Sequence, residues 1–100
     1  MLELRPTCEH CNKALPPAST EAMICTYECT FCSDCVALLE NVCPNCGGGF
    51  TPRPIRPAHM WKRVWLGTHP ATQQVTHKPV NLADHAAFVA LVGGRPPEQR

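Results

Sequence analysis

Apolar residues along this chain come in short bursts, each closed off by turn residues. Leu2 and Leu4 alternate with polar neighbours in a lead-in that suits one short strand. Glu21 to Cys25 and Thr30 to Cys32 are extended in character and flank Thr26-Tyr27-Glu28-Cys29, the pattern of a small hairpin. Between lead-in and hairpin, Asn12 to Thr20 carries Leu15-Pro16-Pro17 and reads as an irregular loop. Val36, Leu38, Leu39 and Val42 then fall at helical spacing, with Ser33 or Asp34 placed to cap a helix of about two turns.

Past Cys46 the pattern changes. Gly47-Gly48-Gly49 followed by Pro52, Pro54 and Pro57 marks a boundary, which divides the chain into a module over 1–50 and an extension over 51–100. A helix is expected over 57–66, with Pro57 first, Gly67 just past its end, and Trp61, Val64 and Trp65 on a common face. A third helix is expected over 81–92. Asn81 caps it, Asp84 lies in its first turn, and Gly93-Gly94 with Pro96-Pro97 stops it. Leu82, Phe88, Val89, Leu91 and Val92 among four alanines leave this helix apolar on nearly every side, which fits core packing or a partner surface. From Arg95 onward the chain is expected to be disordered.

Composition explains how so little apolar pattern could fold. A chain of 100 residues with six aromatics and 11 prolines has a thin hydrophobic core, and small domains in that position need a staple. Eight cysteines, all between Cys8 and Cys46, supply it. The opening Met1 to Pro6 has no basic stretch leading into an apolar one, and no run of eighteen apolar residues follows. A reducing cytosol is therefore expected, with the thiols available to metal rather than joined as disulfides.

The spacing is C8-x2-C11-x13-C25-x3-C29-x2-C32-x2-C35-x7-C43-x2-C46. A CxxC pair delivers two sulfurs from one turn, and structural zinc takes four in a tetrahedron. Three such pairs plus Cys25 and Cys29 make up two four-sulfur sites. An iron–sulfur cluster is a rival, since Cys29, Cys32 and Cys35 open like a bacterial ferredoxin run. Seven residues rather than three then precede Cys43, which counts against it. Thiol redox catalysis would place CxxC at a helix start beside a βαβ pattern, and no such pattern exists here.

The order of the eight ligands resembles RING-type zinc modules, with Cys29 where the family usually has histidine and Pro44 directly after the seventh ligand. That resemblance implies interleaved sites: Cys8, Cys11, Cys32 and Cys35 on one Zn²⁺, and Cys25, Cys29, Cys43 and Cys46 on a second. LIM domains pair ligands sequentially instead, but their second loop is much longer than the seven residues between Cys35 and Cys43. A closer resemblance covers about residues 1–57. The segments MLELRPTCEHC, LPPASTEAMICTYECTFCSDC, CPNCGGGF and RPIRP are similar to a small bacterial family of uncharacterised zinc-knuckle proteins. It implies a bacterial cytosolic protein with a RING-like fold and names no activity. The expected fold class is a small α+β zinc-stabilised domain, RING-like, with a helical C-terminal extension.

Charge separates the halves. Residues 1–50 carry two basic and six acidic side chains, and residues 51–100 carry seven basic and two acidic. Eight thiolates on two zinc ions would take the first half to about −8. Arg53, Arg56, Lys62 and Arg63, interleaved with Trp61 and Trp65, offer a nucleic-acid reading through phosphate pairing and base stacking. The rival is that this basic strip folds back on the acidic zinc half. Ubiquitin ligase activity, which a RING suggests, would need an apolar residue, an apolar helix residue and a basic residue where this chain has Glu9, Leu38 or Leu39, and Gly47. The five histidines lack the spacing of a third metal site and read as packed or solvated. Closed four-sulfur sites leave no position for a substrate water, so a non-catalytic module acting on another protein is expected, with nucleic acid as the second choice.

Overall fold

The computed structural model describes residues 1–59, Trp61 and residues 70–100. Strand β1 (Ala22–Ile24) pairs antiparallel with β2 (Thr30–Cys32) in the register Ala22 with Cys32, Met23 with Phe31 and Ile24 with Thr30. The turn between them closes through Glu28 N–H to Cys25 O at 3.0 Å and Cys25 N–H to Cys29 O at 3.3 Å, with Glu28 at φ 64°. A two-residue strand, β3 (Thr51–Pro52), lies on the other side of β1, giving the order β2-β1-β3. Pro52 cannot donate to a ladder, which suits its place on an outer strand.

Every residue of β2 is buried, and it runs directly into helix α1 (Ser33–Leu38). Cys32 is the N-cap and makes no side-chain capping bond, so the cap does not fall on Ser33 or Asp34. Asp34 lies instead in the first turn, where its charge suits the helix dipole. Nor does the helix continue to Val42. Glu40 and Asn41 adopt φ of 54° and 57°, and Asn41 Oδ1 accepts the Phe50 amide at 2.9 Å. That turn still buries Leu39 and Val42. The lead-in makes no strand among the described residues: its one ladder contact is an isolated bridge, Thr7 with Ala14, and Leu4 is simply buried.

Phe31 and Phe50 meet edge to face, with centroids 5.4 Å apart, and Leu15, Val36 and Leu39 complete the apolar interior. Among the described residues, twelve buried ones form this cluster and six of them are cysteines, so the core and the sulfur chemistry are one object.

Helix α2 (Leu82–Val92) starts where Asn81 Oδ1 accepts the amides of Ala83 and Asp84, each at 3.1 Å, and ends at Gly93 with φ 69°. Its one buried residue, His85, donates from Nε2 to Leu39 O at 2.9 Å. The segment before it is tied down by Lys78 N–H to Glu9 O at 2.8 Å and Val80 N–H to His10 Nδ1 at 2.8 Å. The C-terminus is ordered rather than loose. Pro97–Gln99 form a 3-10 turn, and the Arg100 guanidinium donates to Asn41 O at 2.8 Å and Gly47 O at 3.2 Å. The helix expected over 57–66 lies for the most part outside the described residues. Among those described, no helix is long and apolar enough to cross a membrane.

Candidate metal centre

Four sulfurs converge at the junction of the first knuckle, β2 and α1. The knuckle closes through Asn12 N–H to Cys8 O and Cys8 N–H to Lys13 O, both 2.9 Å, with Asn12 at φ 62°. This presents Cys8 and Cys11 toward Cys32 at the end of β2 and Cys35 in the first turn of α1. All four Sγ atoms lie within 4.8 Å of one another. Tetrahedral zinc with sulfur at about 2.3 Å sets the sulfurs about 3.8 Å apart. The Cys11 and Cys32 sulfurs are 3.8 Å apart, the edge such an ion would require. Cys8, Cys32 and Cys35 are buried, and Cys11 is exposed. Zinc fits this donor set.

Proton affinities in the cluster are uneven. Burial pushes the Cys32 and Cys35 thiols up, so both hold their protons in the metal-free fold. At Cys11 desolvation is the largest single influence and works upward as well. Hydrogen bonds from the Lys13 backbone amide and from the thiols of Cys8, Cys35 and Cys32 outweigh it and hold this thiol below its ordinary value. A cation entering here must displace the protons of Cys32 and Cys35.

The second group forms around the hairpin turn and the last knuckle. Cys25, Cys43 and Cys46 have sulfurs within 4.8 Å of one another. The turns donate to sulfur in the usual knuckle fashion, from Tyr27 N–H to Cys25 and from Gly48 N–H to Cys46, each at 3.4 Å. Cys29 stands outside this mutual set. It is 7% exposed, contacts Cys25, and accepts at Sγ from Asn45 Nδ2 at 3.4 Å. Burial raises the thiols of Cys29 and Cys43. The eight cysteines are therefore gathered as four, and as three with one standing beside them. Asn45 is a site residue that the ligand spacing gives no reason to single out. Its position between the last two cysteines is the only cue.

The basic and aromatic candidates fare differently. Arg53 is corrected: it is 3% exposed and turns inward, donating to Arg5 O at 2.8 Å, Leu15 O at 3.1 Å and Pro16 O at 2.9 Å. A guanidinium bonded to three carbonyls in the interior cannot meet a phosphate. Arg56 is half-buried, and its amide donates to Pro17 O at 3.0 Å. Trp61 is 78% exposed, while Lys62, Arg63 and Trp65 lie outside the described residues.

Of the positions that a RING would offer to a ubiquitin-carrying partner, Glu9, Leu39 and Gly47 are covered from within, while Leu38 is 53% exposed. Glu9 is buried, with its carboxylate on the Arg5 guanidinium at 2.8 Å and on the Thr30 amide. Its carbonyl is taken by Lys78, that of Leu39 by His85, and Gly47 lies under the ring of Phe88. Between these two layers is a cleft of about 510 Å³ that includes Phe31, Pro44, Lys78 and Phe88 in its walls.

The family described as "Protein of unknown function (DUF1272)" matches residues 1–56, which hold every cysteine described above. The chain belongs to that family. An uncharacterized protein of Rhizobium meliloti (strain 1021) is 49% identical over 88 residues, 87% of this chain and 99% of the relative. That alignment reaches well beyond the cysteines, into the residues that form the C-terminal half of the DUF1272 protein. No solved structure matches.

Proposed function

We propose that this DUF1272 protein is a cytoplasmic, non-catalytic, RING-like module that holds two Zn²⁺ ions and acts by binding another protein. The convergence of the Cys8, Cys11, Cys32 and Cys35 sulfurs, all within 4.8 Å of one another and with the Cys11–Cys32 pair at 3.8 Å, carries this reading. The ions would serve as structural crosslinks, since the buried sulfurs are members of the core and leave little room for a water or substrate beside the metal. Helix α2 supports a binding role. It turns one residue fully inward and leaves Leu82 and Leu91 exposed at 43% and 76%. With Leu38 at 53% these are large apolar side chains kept in water on a molecule with few to spare.

Nucleic acid is the weaker choice, because inward-facing Arg53 takes one cation out of the proposed strip. Exposed Trp61 is the observation that keeps it in view. Native mass spectrometry of protein purified without added metal should show two zinc ions per chain. Affinity capture from the native host should retain a protein partner with the wild type and lose it with a Cys8→Ser control. A metal-free native mass, or a salt-sensitive complex with single-stranded RNA in place of a protein partner, would overturn the proposal.

A further inference from the structure

We infer that the two metal sites are unequal: the second is a three-thiolate cradle, with Cys29 as a detachable fourth ligand, and it accepts a soft three-coordinate cation while the first keeps its zinc. This rests on the metal-binding reading above and goes beyond it. At the first site four sulfurs lie within 4.8 Å of one another, and at the second only Cys25, Cys43 and Cys46 do. Cys29 lies outside that set, with Asn45 Nδ2 donating to its sulfur at 3.4 Å. A tetrahedral ion must draw Cys29 inward, whereas a trigonal ion on the other three sulfurs needs no such movement. Cys46 is exposed, so a cation or a carrier thiol can reach this cradle from solvent.

Thiolates select soft cations, and monovalent copper is satisfied by three of them. Exchange at this site moves no electrons. Zn²⁺ leaves, Cu⁺ enters on Cys25, Cys43 and Cys46, and the released Cys29 thiolate takes one proton from water. Asn45 then holds the freed thiol in place. At the first site the same exchange would strand one of four converged sulfurs, so zinc is expected to persist there.

The test adds one equivalent of Cu(I), buffered with glutathione under anaerobic conditions, to the two-zinc protein, followed by native mass spectrometry. The expected product carries one zinc and one copper, with three sulfurs around copper by X-ray absorption. Cys29→Ser should take up Cu(I) within about twofold of wild type, and Cys25→Ser should lose at least tenfold. Loss of both zinc ions together, a copper bound by two or four sulfurs, or a tenfold loss in Cys29→Ser overturns the inference. The X-ray absorption result on wild type decides the matter even if a variant does not fold. A protein that binds no metal at all defeats the underlying reading instead, and the two failures are distinguishable.

Discussion

At the scale of single residues, Arg53 shows how a charged side chain can act as a core residue. Burial pushes its guanidinium below its ordinary value, and the three carbonyls it reaches join the lead-in to the loop at Leu15-Pro16. Arg53→Met keeps most of the apolar stem and removes every donor, leaving the carbonyls of Arg5, Leu15 and Pro16 without this partner, that of Leu15 in the buried interior. The expected loss is about 2–4 kcal/mol, from hydrogen bonds to a charged group together with the orphaned acceptors. Arg53→Lys should recover only part of it, because a single ammonium cannot reproduce the planar fork. Urea unfolding of the zinc-loaded proteins measures both. A loss below about 0.5 kcal/mol, the range of a neutral surface change, would show that the inward arrangement does not hold in solution.

At the scale of elements, the docking of α2 turns on Gly47. It has φ +77°, and a Cβ built there would sit 3.1 Å from Phe88 Cζ. Gly94 has the similar φ of +73° with nothing within 4 Å. Gly47→Ala and Gly94→Ala therefore share a backbone penalty of about 1–2 kcal/mol, and only the first meets the helix. The His85 imidazole resonances should move toward solvent-exposed values in Gly47→Ala and stay put in Gly94→Ala. Equal behaviour in the two would mean that Phe88 does not pack on the knuckle. The same elements show what the sequence could reveal. Helix α2 was legible because Asn81 and Gly93 act on their own backbone. The hairpin was legible because its apolar residues and turn are contiguous, and the cysteine set because ligand spacing is local. The sequence pattern carries helix α1 four residues past its true end, since that end depends on Asn41 reaching Phe50 across nine positions. Strand β3 was hidden in a proline-rich boundary that only β1 turns into a ladder, and the ordered tail rests on one arginine bonding to carbonyls more than fifty residues away. The bond from Asn45 to the Cys29 sulfur joins residues sixteen positions apart, and no spacing rule reports it.

At the scale of the whole molecule, the described elements offer little that would hold the chain together without metal. The strands span three, three and two residues, α1 spans six, and half of the core cluster is cysteine. An isolated helix of eleven residues such as α2 is marginal in water without a surface to pack on. Structural zinc contributes on the order of 10–16 kcal/mol of apparent binding free energy per site, and whole domains are stable by about 5–15 kcal/mol. Removing even one ion should therefore exceed the total stability. Chelation is expected to abolish the near-UV circular dichroism and the amide dispersion together, α2 included, and stoichiometric zinc should restore both. Acid should act in the same direction, because protonated thiols cannot ligate. The metal-free chain answers to pH in the opposite sense. Burial raises the Cys35 and Cys43 thiols above their unfolded values, so any residual apo fold is favoured below the ordinary thiol range and lost as pH rises through it. Two opposed pH responses, one with metal and one without, distinguish sulfur cages that build this fold from cysteines that merely fill it.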